Sequence, residues 1–478
     1  MTTDLHRRRW LAFFILCCGE LMIVLDSTVV NVALPSICSS LGFSEAGLVW
    51  VVNAYMLTYG GFLLLGGRLG DLYGRRRLFA GGIALFTVAS FACGLADSQT
   101  ALIIARAIQG LGGAVVSAVA LALIMDLFPE PDVRVRAMGY FGFLMAAGGS
   151  IGVLLGGLIT DAFNWHWIFL INIPVGALVL AVTLKLLPRD APAPETQKLD
   201  VAGAVTVTAS LLLAIYGIVG AYEAGWTSAQ TLGLLVGAGL LMAAFLMIEA
   251  RIPVPLMPLG LFKLRNVSVA NVAGVLWAAA MFAWFFLSAL YMQLVLGYGP
   301  MKVGLAFLPA NIIMGAFSYK LSAQMVNRFG IRWPLALGLF FAATGLALFA
   351  RAPVDGVFVR DILPAMTLLG IGAGMAFNPI LLAAMSEVEQ SESGLASGVV
   401  NTAFMMGGAL GLAILVSLAA GRTAEVMQAG DPRAALNAGY QLAFVIGAAC
   451  ALLAAGLSAA LIRPGLVRPD AHGTPAAH

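Results

Sequence analysis

The stretch "GRLGDLYGRRR" (Gly67–Arg77) decides the fold, because a weakened copy of it, "AQMVNRFGIR" (Ala323–Arg332), returns more than 250 residues later. Asn327 stands in the place of Asp71, Gly330 in that of Gly74, and a basic residue follows each glycine. Both stretches join two long apolar runs. A glycine-rich run also occurs twice, as Gly148-Gly149-x-x-Gly152-x-x-x-Gly156-Gly157 and as Gly407-Gly408-x-x-Gly411. Glycines at this spacing let helices pack closely. Packing alone does not explain why both features recur at matching places. A duplicated half does.

The chain has 478 residues, 61% of them hydrophobic and 10% charged. A soluble domain carries about a quarter charged residues, so the composition specifies an integral membrane protein. The net charge of +3 is too small to suggest a nucleic-acid partner. Five cysteines show no paired spacing and four histidines no ligand spacing, which excludes a disulfide framework and gives no metal centre. The first apolar run is long enough to span and lacks a small-residue cleavage site, so it reads as a retained helix.

Spans need about 20 apolar residues. Such runs lie near 11–33, 47–66, 78–96, 101–125, 137–160, 167–187, 201–221, 230–249, 267–296, 303–324, 334–350, 361–385, 395–420 and 438–462. These predict an all-α membrane protein of about fourteen spans. Basic clusters (His6–Arg9, Arg75–Arg77, Arg134/Arg136, Lys185/Arg189/Lys198, Arg251/Lys263/Arg265, Arg328/Arg332, Arg463/Arg468) fall on alternate connections. The positive-inside rule then puts both termini in the cytoplasm. The loop Arg351–Arg360, with two arginines, and the acidic loop Ser386–Ser393 run against the trend. Setting spans 7 and 8 aside leaves two six-helix halves. The predicted divisions are 1–190 for the first bundle, 191–262 for a linker and two extra helices, 263–465 for the second bundle, and 466–478 for a disordered cytoplasmic tail. The segment "PRDAPAPETQK" (Pro188–Lys198) reads as a flexible join. Repeated halves around a midplane site are a mark of secondary transporters.

Several motifs carry a resemblance. Gly67–Arg77 resembles the loop motif between helices 2 and 3 of the major facilitator superfamily. "LDSTVVNVALPSI" (Leu25–Ile37), "RAIQGLGGA" (Arg106–Ala114), "GGSIGVLLGGLI" (Gly148–Ile159), "WHWIFLINIPVG" (Trp165–Gly176) and "YMQLVLGYGPMKVGLAFLP" (Tyr291–Pro309) are similar to motifs of its fourteen-span drug:proton antiporters (DHA2, EmrB/QacA-like). The resemblance covers almost the whole chain and implies that superfamily's fold. The departures are Val153 where the antiporter motif has proline, His166 where the tryptophan motif has arginine, and Phe404-Met405 where a polar or basic pair is expected. They predict an unbent helix at Val153 and a more apolar substrate surface.

Two carboxylates, Glu20 and Asp26, sit in the first span. Intramembrane acids are costly and functional by default. Asp26 lies about 10 Å below the outer surface and Arg106, in the fourth span, about 9 Å below it. In the superfamily fold these spans are neighbours lining the cavity, so Asp26 and Arg106 are expected to face each other. A nearby cation favours the ionised carboxylate, and separating the pair favours loading a proton. Glu20 sits about 120° round the helix from Asp26, on the face of Ser27 and Asn31. Asp26, Glu20 and Arg106 are therefore the candidates for proton coupling, and the resemblance gives Gly67, Asp71, Gly74 and Arg75 to a cytoplasmic gating latch and Gly148, Gly152, Gly156 and Gly157 to the antiporter motif. Arg76 and Arg77 read as orientation signals only, and Lys320 as a snorkelling residue. Candidate cavity contacts are Asn31, Tyr55, Gln109, Trp277, Trp284, Phe285, Tyr291, Gln293, Asn311, Asn401, Phe404 and Met405. The spans of the second half carry no mid-membrane carboxylate.

The expected function is proton-driven export of amphipathic, cationic organic compounds by a multi-pass protein of the bacterial inner membrane. Its partners are a small-molecule substrate, protons and the lipid bilayer. It needs no cofactor and works as a monomer, alone or with an adaptor protein. The alternatives are a dedicated exporter of one endogenous metabolite, lipid or antibiotic, a proton-coupled importer, and a sensor or scaffold that keeps the fold without transport. No filter sequence suggests a channel, and no nucleophile–base pair suggests an enzyme.

Overall fold

A computed structural model describes residues 2–128, 130–187, 200–253, 255–388, 393–427 and 430–463. The expected linker 188–198 and the tail lie outside these, as do the side chains of Asp71 and Lys320.

The described residues are almost wholly helical and contain no strand. The helices are α1 (Thr2–Leu41), α2 (Glu45–Tyr73), α3 (Arg75–Gly94), α4 (Gln99–Leu127), α5 (Pro131–Ala162) and α6 (Trp167–Leu186, with a turn at Ile171). There follow α7 (Val201–Ala224) and α8 (Ala229–Arg251), then α9 (Arg265–Leu290), α10 (Pro300–Ala316), α11 (Arg332–Phe349), α12 (Leu363–Met385), α13 (Ser393–Met427) and α14 (Pro432–Leu461). α9 runs on through a π-turn, Tyr291–Val295, and α10 through another, Phe317–Leu321, into Ser322–Phe329. Among the described residues, twelve helices are long and apolar enough to cross a membrane. Pro300–Ala316 and the Ile151–Ala162 part of α5 form shorter apolar helices.

Local chemistry sets the ends. Ser44, Ser98, Asp200 and Ser228 each accept a backbone N–H of the first helical turn, satisfying donors the helix cannot. Gly74 and Gly330 close the two copies of the loop motif in the same way. Each has positive φ (96° and 73°) and gives its N–H back to the preceding turn, at Gly70 and Val326. That conformation is open to glycine and strained for other residues.

α1–α6 pack as one bundle and α9–α14 as another. Corresponding helices meet corresponding neighbours. α5 lies along α1 and α13 along α9, α3 along α4 and α11 along α12. The glycines set the register. A methyl group added at Gly82 would sit 3.1 Å from the Gly112 carbonyl, and one at Gly338 3.0 Å from the Gly372 carbonyl. Gly110 presses on the Tyr55 carbonyl and Gly370 on that of Ala310. Gly152 abuts Thr28 and Gly411 abuts Ala279, one turn beyond Gly148 on Val24 and Gly407 on Val275. The repeat read from the loop motif is thus a repeat of helix contacts.

Two seams join the bundles. At one, α5 meets α10, where Gly157 would place a methyl 2.6 Å from the Pro300 carbonyl. Val153, in the place of the expected proline, is buried here in an unbroken α5, and Gly304 packs on its carbonyl. At the other seam α2 meets α13, where Asn53 donates to the Ala409 carbonyl at 2.9 Å. The extra pair α7–α8 lies over this second seam alone. α7 packs on both α2 and α13, with Thr208 against Gly61 and Ser417 donating to the Ile218 carbonyl. Outward-facing apolar residues such as Val88, Val236, Leu240 and Ile312 are more than 60% exposed. Aliphatic surface of this extent suits lipid and would aggregate in water.

Candidate functional site

α1 places Asp26 inside the first bundle, where it is 2% exposed. Arg106 of α4, 1% exposed, donates from Nη1 to Asp26 Oδ2 at 2.5 Å. The other oxygen, Oδ1, accepts Gln109 Nε2 at 2.7 Å and Asn172 Nδ2 at 3.0 Å. Arg106 is held in turn: Nε donates to the Val51 carbonyl at 2.9 Å, Nη1 also reaches Gln109 Oε1 at 2.7 Å, and the guanidinium lies 4.3 Å over the Tyr55 ring. Ser90 of α3 accepts from Gln109 and Asn172 and donates to the Phe169 carbonyl. The carboxylate of α1 thus takes its donors from α4 and α6, and groups of α2 and α3 hold those donors in place.

The arrangement satisfies the physics of a buried pair. Two charges taken out of water are tolerated only where the geometry is good and the remaining lone pairs and protons find partners. Here each Asp26 oxygen has a donor, and Arg106 has a carboxylate, a carbonyl, an amide and an aromatic face. The expectation that Asp26 and Arg106 face each other matches this contact. Their setting differs from the expected cavity wall: the pair points into the bundle, toward α3 and α6, because the donors that stabilise it are there.

Glu20, 6% exposed, lies one and a half turns nearer the start of α1. Its Oε2 accepts Ser117 Oγ at 3.0 Å, and its Oε1 has no partner. Asn31, expected on the same face, bonds back to the carbonyls of its own helix at Ser27 and Thr28. Tyr55 stacks on Tyr59 with ring centroids 5.9 Å apart. Its unpartnered hydroxyl lies beside Gly113, where an added methyl would be 3.2 Å from the hydroxyl and 3.3 Å from the Tyr59 ring. The tyrosine pair thus packs on α4, with Tyr55 under Arg106 and both tyrosines against Gly113.

The second bundle repeats the geometry and drops the charge. On the glycine register, Asp26 corresponds to Trp277, Arg106 to Met366, Gln109 to Leu369 and Ser90 to Leu346, all nearly or fully buried. Trp277 and Trp284 are fully buried with unpartnered indole N–H groups, and Asn311 has an unpartnered amide nitrogen. Phe285 stacks on Phe307. The other candidates scatter. The Tyr291 hydroxyl donates to the Pro353 carbonyl, and Gln293 donates to the Val32 carbonyl, joining the halves at the end away from the chain termini. Phe404 packs against Phe282 and Phe377, Met405 lies on Gly60 across the α2–α13 seam, and Asn401 is half-buried on α13.

Of the loop motif, Gly67 is half-buried with open space where a methyl would go. Arg75 pairs with Asp126 at the end of α4 at 2.8 Å. Arg76 does more than orient the chain: it donates to the Leu184 carbonyl at the end of α6. The residues the sequence reading missed are Ser90, Asn172, Ser117 and Tyr59. Asn172 lies within the quoted tryptophan motif, and an intramembrane asparagine is itself a signal.

Two bundles repeating each other's contacts, with an ion pair deep in one, define a secondary transporter. Residues 16–412 match the family model of the Major Facilitator Superfamily. The chain is 37% identical over 462 residues to the puromycin resistance protein pur8 of Streptomyces alboniger, covering 95% of this chain and 92% of that protein. It is 37% identical over 466 residues to the cephamycin export protein CmcT of Amycolatopsis lactamdurans, covering 97% and 94%. The inward open xylose transporter XylE from E. coli shares the fold with a TM-score of 0.65 at 15% identity, over 96% of this chain and 98% of that one. The chain belongs to the major facilitator superfamily, a family of membrane transporters rather than enzymes.

Proposed function

We propose that this protein exports amphipathic organic compounds from a bacterium across the inner membrane in exchange for protons, using fourteen spans with both termini in the cytoplasm. The observation that carries the reading is the Asp26–Arg106–Gln109–Asn172 network. A proton arriving on Asp26 cancels the charge that Arg106 holds, and the charge-assisted bond, roughly twice as strong as a neutral one, is lost. Helices α1, α3, α4 and α6 are then free to repack, and the first bundle can rock against the second. Glu20, with one free oxygen, offers a second resting place for the proton. The Arg75–Asp126 pair, with Asp71, acts as the cytoplasmic latch. Export rather than import is favoured by the relatives named for antibiotic resistance and antibiotic export.

A narrower reading is export of one compound made by the same cell. Two relatives are named for single products, cephamycin and tetracenomycin C, and Trp277, Met366 and Leu369 make the second half apolar.

Everted vesicles energised by respiration test both. Accumulation of a panel of lipophilic cations and antibiotics, collapsed by a protonophore and absent in Asp26→Asn, is the expected result. Uptake by Asp26→Asn equal to the parent refutes the coupling role. Accumulation of one compound alone selects the narrower reading.

A further inference from the structure

The extra pair of helices contains a second buried acid site, remote from Asp26. Asp200 caps α7 and Glu249 stands near the end of α8, each 3% exposed. One oxygen of each is engaged with backbone: Asp200 Oδ1 accepts Gly203 N at 2.7 Å, and Glu249 Oε2 accepts Met257 N at 3.0 Å. The other two, Asp200 Oδ2 and Glu249 Oε1, have no donor. Both converge on the hollow left by the missing side chain of Gly203. A methyl there would lie 2.8 Å from Glu249 Oε1 and would clash outright with Asp200 Oδ2.

Two buried carboxylate oxygens that face each other without a donor can only repel, and one proton placed between them supplies the missing hydrogen bond. Among the described residues no cation relieves them, and Lys198, which precedes Asp200, lies outside these. Arg251 and Lys263, the basic residues of α8 and of the short helix Leu259–Lys263, are exposed, and neither pairs with Asp200 or Glu249. The connection Ile252–Pro258 brings no titratable side chain, and the side chains of Arg68 and Asp71 on α2 lie outside those described.

We propose that Asp200 and Glu249 bind one proton between them, and that this proton fastens the extra helices to the first bundle. With the proton in place, Oε1 and Oδ2 form a carboxyl–carboxylate hydrogen bond that ties the start of α7 to the end of α8. Glu249 then holds the backbone of Met257, and the neighbouring Leu256 is set into a cluster with Leu65 of α2 and Ala204 of α7. Loss of the proton sets two negative charges against each other and releases that connection. The site therefore responds to pH on the side where α2 carries its loop motif, independently of Asp26.

The full-length protein in lipid nanodiscs tests this in two ways. The infrared spectrum of the Asp26→Asn/Glu20→Gln protein should contain a protonated-carboxyl band that fades as pH rises and is missing when Glu249→Gln is added. Hydrogen–deuterium exchange of residues 200–206 and 252–258, corrected for intrinsic rates, should rise several-fold over the same pH range. In Glu249→Gln, whose amide donates to Asp200 without titrating, exchange should stay low and flat. Gly203→Ala should give fast exchange at every pH. A carboxyl band unchanged by Glu249→Gln, or exchange in that variant that follows pH as the parent does, overturns the proposal. Protection that depends on added sodium or calcium at fixed pH also overturns it, in favour of a metal cation.

Discussion

Arg106→Gln should be among the most damaging single substitutions in the first bundle. It strips Asp26 of the cation it pairs with while leaving two amide donors, Gln109 and Asn172, and takes the donor from the Val51 carbonyl. Removing one partner of a buried pair costs about 3–5 kcal/mol, because the remaining charge is uncompensated. Asp26→Asn should cost about as much, because it too leaves a buried charge uncompensated and a guanidinium cannot shed its proton. Its orphaned guanidinium keeps the Val51 carbonyl, Gln109 Oε1 and the Tyr55 face. The double variant leaves no charge behind, so it should be more stable than the two single costs predict, by about 1–3 kcal/mol. Reversible unfolding in lipid–detergent micelles, run as a thermodynamic cycle on the four proteins, reads this coupling. Costs that simply add would mean that Asp26 and Arg106 are near neighbours without being an energetic pair, and the reasoning from their geometry would fail.

The glycine seams predict a graded series. Gly156→Ala, aimed 2.7 Å from the Val29 carbonyl, and Gly411→Ala, aimed at Ala279 Cα 2.6 Å away, should each lose about 1–3 kcal/mol in the same unfolding assay. Gly149→Ala, with nothing within 4 Å, should be neutral. Gly74→Ala and Gly330→Ala should cost about 1–2 kcal/mol each, since both demand a left-handed backbone, and equal losses would mark the two loop motifs as equivalent turns. Just before α5, Glu130 is held below the usual carboxylate range by its own backbone N–H and by Arg9, near the start of α1. A depressed value means the tether is fully formed above the ordinary carboxylate pKa and is lost as pH falls through the lowered one. Exchange of residues 6–12 should therefore rise on acidification, and Arg9→Ala should remove most of that rise.

Much of this was legible in the sequence, for identifiable reasons. Hydropathy gave the long apolar helices and the loop repeat the two matching turns, because bilayer thickness dictates run length and a duplicated turn needs its glycine in both copies. The depths of Asp26 and Arg106 placed them at one level because α1 and α4 are regular helices with a fixed rise. Depth says nothing about azimuth, however, so the pair was expected on a cavity wall. Its partners Ser90 and Asn172, on α3 and α6, turn it into the bundle instead. Those small polar residues were passed over because one serine or asparagine among many apolar neighbours becomes informative only when its helix is packed. The loop arginines show the same limit: a basic cluster announces orientation, while Arg76 capping α6 and Arg75 pairing with α4 depend on which helix ends lie nearby.

The extra helices have a consequence of their own. They shield one flank of a molecule that its internal duplication would otherwise make even-handed. A lipophilic solute diffusing in the membrane meets a doubled wall at α2–α13 and a single one at α5–α10. Approach to this protein from the lipid therefore has a front and a back.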